Sequence, residues 1–273
     1  WNKMYRSWRK PVAKGDLFRA ISAIDIAIWD IIGKAVDKPV WKILGGFRDK
    51  IRAYASGGYY VEGKGTKELV EEMCSFTSMG YTAVKMKIGR VSLKEDIERV
   101  KAVREAIGDD IDLMLDANNG FTSAEARRFI KSMEQFNPFW FEEPVQPDDI
   151  RGHQELRAAT WVPIASGENE FTRWGCRELI ESRAVDIIQS DVGIAGGFTE
   201  SRKIAGMADA HHIYFAPHGM PHISVHLLAS VPNALIAETL PELNTHINEV
   251  AGSRFEVKDG YINAPQRPGL GLE

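Results

Sequence analysis

Three carboxylates at equal spacing constrain the fold of this chain more than any other feature. Asp116, Glu142 and Glu168 follow one another at intervals of 26 residues, and each ends a short apolar run with the pattern of a β-strand. A (β/α) barrel builds its active site from side chains at the carboxyl ends of successive strands. The spacing therefore predicts a barrel in which three neighbouring strands each contribute an acid to one rim.

Eight segments have the pattern of strands, and they alternate with helical patterns. The predicted strands cover residues 51–56, 82–88, 111–116, 139–142, 162–166, 185–190, 213–217 and 234–238. Helices are predicted over Ala20–Ala35, Thr199–Ala210 and His222–Ser230, and capping boxes begin two more at Ser92 and Thr122. Strands that alternate with helices in this way predict a parallel closed sheet.

Length and composition restrict the classes of partner. A barrel commonly needs about 250 residues, and this chain has 273. Its net charge of −4 gives no reason to expect a nucleic acid partner, and no segment is long and apolar enough to cross a bilayer. Because Cys74 and Cys176 are isolated in the sequence, we expect reduced thiols in a cytoplasmic protein.

The three acids are candidate metal ligands. Carboxylates that converge on one rim repel one another unless a divalent cation holds them. Oxygen ligands without histidine or cysteine favour Mg²⁺, with Mn²⁺ as the alternative. The competing interpretation is that each acid only caps the helix after its strand. The equal spacing of all three favours the metal site.

Two lysines precede the first acid, in the tripeptide Lys85-Met86-Lys87. Residues two apart on a strand point to the same side, which in a barrel is the interior mouth. Ammonium groups so close lower each other's pKa, and a nearby cation lowers it further. A lysine here could then act as a general base near pH 7. The alternative is a pair of solvated lysines on an amphipathic strand.

Polar residues at the ends of the later strands supply further candidates. His218 follows one strand, and Asp191 ends the strand before it. A carboxylate in that position can hold an imidazole in one tautomer and raise its pKa. Glu238 ends the last strand, where it could hydrogen-bond a substrate oxygen or pair with a neighbouring lysine.

The remaining polar candidates carry less specific signals. Asn118 follows Asp116 by two residues, so its amide would face the same side if the strand continued, and it would suit a substrate hydroxyl. Glu143 should point away from the site and serve a structural role. The other histidines are interpreted as surface, capping or incidental residues: His153, His211, His212, His222, His226 and His246.

The ordered set of these motifs resembles the enolase superfamily. It comprises Lys85-Met86-Lys87, Asp116-Ala117-Asn118, Glu142-Glu143-Pro144, Gly167-Glu168-Asn169, Asp191 with Gly196-Gly197, and His218. Within the superfamily the chain resembles the mandelate racemase subgroup, which includes many acid-sugar dehydratases. The resemblance extends over nearly the whole chain from about Ala20 onward.

The resemblance implies a modified TIM barrel of the (β/α)7β type with Mg²⁺ on the three acids. It implies that Lys87 is a base on one face of a small carboxylate substrate, an acid sugar. On the other face it implies His218, paired with Asp191. Lys85 would neutralise the substrate carboxylate, and Glu238 would hydrogen-bond it. Removal of the proton α to that carboxylate would give an enediolate.

The resemblance also divides the chain into three parts. Residues 1–48 would be the helical remnant of an α+β capping domain, and residues 49–245 would form the barrel. Residues 246–273 would leave the barrel through a hairpin at Asp259-Gly260 and pack back on the capping region. Because the first residues have the pattern of a helix interior, we expect a further upstream part of that domain. The expected assembly is a homo-oligomer.

The residues leave the fate of the enediolate open. If His218 protonates a β-hydroxyl, water leaves, as in an aldonate or aldarate dehydratase, and this outcome is favoured. If the α-carbon regains a proton from the opposite face, the enzyme is a racemase or epimerase of a 2-hydroxy acid. Cycloisomerisation is expected less, because relatives that catalyse it usually carry a second lysine opposite the first pair. An inactive barrel that serves as a binding scaffold is the non-catalytic alternative.

Overall fold

The structure of the chain, a computed structural model, describes residues 1–6, 14–241, 249 and 256–272. Its N-terminal part contains α1 (Asn2–Arg6), α2 (Asp16–Ala35) and α3 (Val40–Leu44). α2 begins earlier than predicted, because Phe18 already lies on its buried face together with Ile21. None of the described helices is both long and apolar enough to span a membrane.

A parallel sheet of eight strands, counted over the described residues, curls into a barrel. The strands are β1 (Lys50–Ser56), β2 (Ala83–Lys87), β3 (Asp112–Asp116), β4 (Trp140–Glu142), β5 (Ile164–Ser166), β6 (Ile187–Ile188), β7 (Tyr214–Phe215) and β8 (Ala237–Thr239). Their order is β7-β6-β5-β4-β3-β2-β1-β8. The ring closes just before β8, where Ala234 bridges Phe215 and the Leu235 N–H donates to the Phe215 carbonyl at 2.9 Å. The eight predicted strands and the (β/α)7β barrel are confirmed.

Helices connect these strands along the outside of the barrel. They are α4 (Thr66–Ser78), α5 (Leu93–Ile107), α6 (Ser123–Met133), α7 (Ile150–Ala159), α8 (Thr172–Glu181), α9 (Val192–Ala195), α10 (Gly197–Ala210) and α11 (Pro221–Leu228), with a 3-10 turn at Glu134–Phe136. Both predicted capping boxes are present. The Ser92 hydroxyl accepts from the Glu95 N–H, and the Thr122 hydroxyl accepts from the Glu125 N–H, which satisfies amides that a helix start leaves without intrahelical partners.

Side chains that alternate along the strands fill two separate cores. The larger core packs the helices against the outside of the sheet. The smaller core lies inside the barrel and consists of Tyr54, Ala83, Met114, Trp140, Ala165, Ile187, Ala216 and Ile236. Because side chains on a strand alternate between faces, the inner residue of a strand and the residue two positions later both face the barrel interior. The inner core is therefore the layer beneath the mouth.

The C-terminal residues return to the N-terminal part of the chain. Lys258 and Tyr261 bridge around the predicted turn, and β9 (Tyr261–Asn263) pairs antiparallel with β1. The Trp41 indole then donates to the Pro265 carbonyl at 2.7 Å, and the Val40 N–H donates to the Gly269 carbonyl at 2.9 Å. The division of the chain at residues 48 and 245 stays a prediction, and 242–248, 250–255 and 273, with His246, lie outside the described residues.

Candidate active site

Both lysines of β2 direct their ammonium groups onto carboxylates at the mouth. The Lys85 Nζ lies 2.5 Å from Glu142 Oε1, 2.9 Å from Glu238 Oε1 and 3.6 Å from Asp116 Oδ2. The Lys87 Nζ donates to Asp116 Oδ2. Only 1% of the Lys85 side chain and 13% of the Lys87 side chain are exposed, so neither is a solvated lysine on an amphipathic strand.

The pKa values of these lysines differ from the expectation of lowered values. Burial lowers the pKa of Lys85, but the charges of Glu142 and Glu238 outweigh burial and raise it well above its usual range. Burial and the charge of Lys85 lower the pKa of Lys87. The charges of Asp116 and Glu142 outweigh both effects, so the pKa of Lys87 lies above its usual value. The expectation of lowered values counted the repulsion between the two lysines and the charge of a bound cation and omitted these contacts with the acids. For the site with its cation it stays a prediction.

The three predicted metal ligands come from three neighbouring strands. Asp116 and Glu142 are the last residues of β3 and β4 and lie side by side in the register. Glu168 does not end its strand, because β5 stops at Ser166. Burial raises the pKa of Glu142 to about 7 and also raises the pKa of Glu168. Burial raises the pKa of Asp116 as well, but Lys85 and Lys87 outweigh it and lower the pKa below its usual value.

The chemistry of this donor set fits a hard divalent cation. All three ligands are carboxylates, and the Oε2 of Glu168 is buried without a hydrogen-bond partner among the described residues. Over the same residues the acids do not form a closed ligand cluster, since ammonium groups contact two of them. Buried oxygen-only ligands of like charge, one of which has an oxygen without a hydrogen bond, are suited to Mg²⁺.

His218 is held by Asp191 and faces the acids with its other nitrogen. The His218 Nδ1 donates to Asp191 Oδ2 at 2.9 Å, and the Gly193 N–H donates to Asp191 Oδ1 at 2.6 Å at the start of α9. The His218 Nε2 lies 3.7 Å from Glu168 Oε2 and 3.9 Å from Glu238 Oε2. Burial lowers the pKa of His218, but the bond to Asp191 and the charges of Glu238 and Glu168 outweigh it and raise the pKa to about 10.

Glu238 contacts both sets of candidate proton carriers. Its Oε2 accepts from the Gly219 N–H at 2.8 Å, one residue after His218, and its Oε1 lies 2.9 Å from the Lys85 Nζ. Burial raises the pKa of Glu238, but the charges of Lys85 and His218 outweigh it, so its pKa is well below the usual range. Glu238 on β8 therefore connects Lys85 of β2 with the histidine that follows β7.

Asn118 is arranged differently from the prediction, and its amide contacts Glu143. The strand does not continue past Asp116, because Asn118 has a positive φ of 40° and its N–H turns back to Asp116 Oδ1 at 2.9 Å. The Asn118 amide lies 3.5 Å from Glu143 Oε2, and Asn119 and Asn169 donate to the same carboxylate at 3.0 and 2.6 Å. The premise of a continuing strand is wrong, and the Asn118 amide is directed at Glu143.

Two family models match this chain. Residues 68–273 match the enolase C-terminal domain-like family. Residues 1–45 match the N-terminal domain of the mandelate racemase / muconate lactonizing enzymes. The chain belongs to the enolase superfamily. Its relatives place it in the mandelate racemase subgroup.

Named relatives of this enolase superfamily member act on sugar acids. It is 38% identical to an arabinonate dehydratase of Saccharolobus solfataricus, over 99% of this chain and 74% of that protein. It is 36% identical to a 3,6-anhydro-alpha-L-galactonate cycloisomerase of Streptomyces coelicolor, over 100% of this chain and 74% of that protein. The crystal structure of an L-talarate dehydratase from Polaromonas sp. JS666, complexed with Mg and L-glucarate, superposes with a TM-score of 0.93 at 33% identity, covering 100% of this chain and 75% of that one.

Three aromatic residues near the site of this superfamily member were not predicted from the sequence. The Trp140 indole donates to Glu142 Oε2 at 2.8 Å. The Lys85 Nζ lies 5.3 Å from the centre of the Tyr54 ring, and the Lys87 Nζ lies 5.3 Å from that of Tyr59. Strand alternation could have identified Trp140, which precedes a predicted ligand by two residues. No comparable signal marked Tyr59, because it lies in the loop after β1.

The prediction of surface or incidental positions is wrong for several histidines. His153, His222 and His226 are buried, at 0%, 4% and 0% exposure. The Trp41 N–H donates to His226 Nδ1 at 3.2 Å, and His226 Nε2 lies 3.1 Å from the Leu270 carbonyl. His226 is enclosed because the C-terminal residues fold back over α11, a long-range contact that helical periodicity alone cannot indicate. His211 and His212 follow the last residue of α10, at a helix end as predicted, and both are exposed.

Proposed function

We propose that this protein is a magnesium-dependent acid-sugar dehydratase that removes the proton α to a carboxylate. One observation carries the proposal: candidate proton carriers from different sides of the barrel contact the same set of acids. The Lys87 Nζ donates to Asp116, whereas the His218 Nε2 lies 3.7 Å from Glu168. Lys87 lies on β2, and His218 follows β7. Around the barrel these two strands are separated by β1 and β8 in one direction and by four strands in the other. Similarity to dehydratases of sugar acids supports the same reaction.

The acids and Lys85 set the charge of the site. Asp116, Glu142 and Glu168 would hold the ion. When bound, Mg²⁺ supplies positive charge that stabilises an enediolate and lowers the pKa of Lys87. Lys85 lies between Glu142 and Glu238, where its ammonium reduces the repulsion among buried carboxylates. With the same positive charge, Lys85 would also neutralise the carboxylate of the substrate.

Two proton transfers complete the proposed reaction. Lys87, as a neutral amine, takes the proton from the α-carbon, and the electron pair of that C–H bond forms the enediolate. His218 then gives the proton on Nε2 to the β-hydroxyl, the electrons of the enediolate form a double bond between the α- and β-carbons, the C–O bond breaks, and water leaves. The enol product becomes a 2-keto-3-deoxy acid. Because the pKa of His218 is raised to about 10, His218 carries this proton at neutral pH.

A screen of acid sugars tests the proposal. The protein would be incubated with a library of aldonic and aldaric acids, with Mg²⁺ and with a chelator. We expect a 2-keto-3-deoxy acid, lighter than its substrate by one water, from a subset of the library with Mg²⁺ and none with the chelator. Keto-acid formation that persists under the chelator would contradict the role given to the ion.

The similarity to a cycloisomerase at 36% identity supports a second candidate. β-Elimination of an oxygen that belongs to a ring of the substrate opens the ring without releasing water, so the product keeps the substrate mass. Anhydro and lactone forms of the acid sugars would therefore be included in the screen. A racemase or epimerase would instead bring solvent deuterium to the α-carbon without elimination, and a binding scaffold would convert no substrate.

The remaining expectations belong to this proposal. The same oxygen ligands also suit Mn²⁺, so activity with Mn²⁺ is expected. Cys74 and Cys176 are unpaired, which supports a reducing compartment such as the cytoplasm. A homo-oligomer is supported by an exposed apolar stripe on α2, formed by Ile24, Ile28, Ile31 and Ile32, and light scattering of the purified protein would measure its mass.

A further inference from the structure

A tryptophan two residues before a predicted metal ligand holds that ligand in place. Trp140 and Glu142 both lie on β4 and are both fully buried. The Trp140 Nε1–H donates to Glu142 Oε2 at 2.8 Å, and the Lys85 ammonium lies 2.5 Å from Glu142 Oε1. Each carboxylate oxygen therefore has one hydrogen-bond or ion-pair partner on the protein.

This arrangement leaves Glu142 free to bind a cation in one orientation. A carboxylate oxygen offers two lone pairs, so one lone pair of each oxygen remains after the bonds to Trp140 and Lys85. The lysine is a flexible partner, since its ammonium also contacts Glu238 and Asp116. The indole is a rigid partner, because it belongs to the packed layer inside the barrel.

The packing of Trp140 explains why its N–H cannot easily turn away. Its ring meets the ring of Tyr54 edge to face, with centroids 5.3 Å apart and planes at 87°. Aromatic pairs favour this geometry, and a ring in a close-packed core has little room to change rotamer. The indole N–H is thus fixed relative to the strand that carries Glu142.

We propose that Trp140 is a positioning residue for the cation site, because its indole fixes the carboxylate of Glu142. The inference rests on the proposed function only in its use of Mg²⁺, and it involves neither the substrate nor the two proton carriers. Partners that orient a ligand in this way typically change metal affinity by about 10–100-fold when they are removed.

The test compares two buried tryptophans, each of which donates one indole hydrogen bond. Trp140→Phe removes the bond to Glu142 and keeps an aromatic ring. Trp41→Phe is the matched control, because the Trp41 indole donates to the Pro265 carbonyl at 2.7 Å, in the contact between α3 and the C-terminal residues. Isothermal calorimetry would measure the Mg²⁺ dissociation constant of each variant, and thermal unfolding would measure its stability.

We expect both variants to unfold at lower temperature and Trp140→Phe alone to bind Mg²⁺ about 10–100-fold more weakly. Equal or tighter Mg²⁺ binding by folded Trp140→Phe would overturn the inference, as would an equal loss of affinity in both variants. If the wild-type protein binds no Mg²⁺, the proposed function fails at the wild-type measurement, before any variant is compared.

A measurement on the wild-type protein covers the case in which Trp140→Phe does not fold. Indole ¹⁵N labelling gives one N–H resonance for each tryptophan, and single replacements of the other six tryptophans assign that of Trp140 by exclusion. We expect the Trp140 resonance to shift during a Mg²⁺ titration with the calorimetric dissociation constant, while that of Trp41 stays in place. An unmoved Trp140 resonance at saturating Mg²⁺ would refute the inference.

Discussion

Two neighbouring layers of side chains inside the barrel, two residues apart along the strands, differ in polarity. The lower layer is apolar, with Met114, Trp140 and Ile236 among its members. Two residues later on the same strands stand Asp116, Glu142 and Glu238, whose carboxylates line the mouth. Two residues on a strand correspond to about 6.6 Å, so the change from packing to charge occurs within the length of one side chain.

The comparison shows how the barrel keeps buried charges without losing its core. The lower layer gains stability from close packing, and most of its members carry no polar group that needs a partner. The mouth places acids and lysines in contact, so that each buried charge has an opposite charge nearby. Substitutions in the two layers should therefore affect different measurements, turnover at the mouth and unfolding below it.

The largest expected effect is the loss of turnover at the mouth. Lys87→Ala and His218→Asn should each lower turnover by about 10²–10⁴-fold, because each removes a general acid or base. Both variants should keep the circular dichroism spectrum of the wild type. Steady-state assays on the substrate found in the screen provide the measurement. Lys94→Ala, at a lysine 87% exposed, is the control and should keep full activity.

A near-normal rate for either variant would remove that residue from the proposed mechanism. An equal loss in Lys94→Ala would point to a general effect of lost lysine charge. Loss of activity together with loss of the native spectrum would instead place Lys87 or His218 among the residues that the fold requires, and the contrast between the layers would no longer hold.

The next largest effect is expected for a substitution in the lower layer, and it should appear in unfolding and not in turnover. Met114→Ala should reduce the free energy of unfolding by about 2–5 kcal/mol, because Met114 is fully buried and a cavity would remain. Turnover of the folded fraction should change little. Denaturant titration measures the first quantity, and Met79→Ala, at a methionine 54% exposed, is the control. A large drop in turnover without destabilisation would contradict the separation of the two layers.

The sequence predicted the fold and the placement of the acids well, for a physical reason. Strands of a barrel are short apolar segments with turns and helices at regular intervals, so their positions are visible in local patterns. Alternation then places Asp116 and Glu142 on the inner face of adjacent strands. The spacing of local elements is enough for this step, since consecutive strands of a barrel are neighbours.

What the sequence did not predict depends on side-chain conformation and long-range contact. The Lys85 ammonium could have pointed to a substrate, yet it contacts Glu142, Glu238 and Asp116, and the argument for a lowered lysine pKa did not include these contacts. Asn118 left the strand direction because of its positive φ. His226 is enclosed by residues more than 40 positions away in the sequence. Local patterns carry no information on any of these contacts.

His226 is a buried titratable group outside both layers, and it should make the free energy of unfolding depend on pH. Burial lowers the pKa of His226 from 6.5 to about 4, so His226 is neutral in the folded protein. Its contribution to stability is fully present above pH 6.5 and is lost as the pH falls toward 4, because the unfolded chain binds the proton first. Relative to His226→Gln, the wild type should lose about 2 kcal/mol of unfolding free energy between pH 7 and pH 5.

Denaturant titrations at several pH values would measure this difference. His211→Gln, at an exposed histidine, is the control and should run parallel to the wild type. Parallel curves for His226→Gln and the wild type would mean that the pKa of His226 is the same in the folded and the unfolded protein, so that the fold accommodates the charged imidazole without a penalty. In that case a buried titratable group outside the mouth would be stabilised in its charged form, as the charged groups at the mouth are.

The smallest expected effect lies at a helix start on the outside of the barrel, remote from both layers. Ser92→Ala should lower the free energy of unfolding by about 1 kcal/mol, because the Glu95 N–H then loses its side-chain acceptor. Ser75→Ala, at an exposed serine inside α4 whose hydroxyl donates to the Glu72 carbonyl of the same helix, should be neutral or slightly stabilising, since alanine is the better helix former. Denaturant titration of both variants gives the difference, and Mg²⁺ affinity should stay constant in each. A change in Mg²⁺ affinity in Ser92→Ala would show that the start of α5 is coupled to the mouth through the loop after β2. The geometry of the mouth would then depend on the surrounding helices as well as on its own strands.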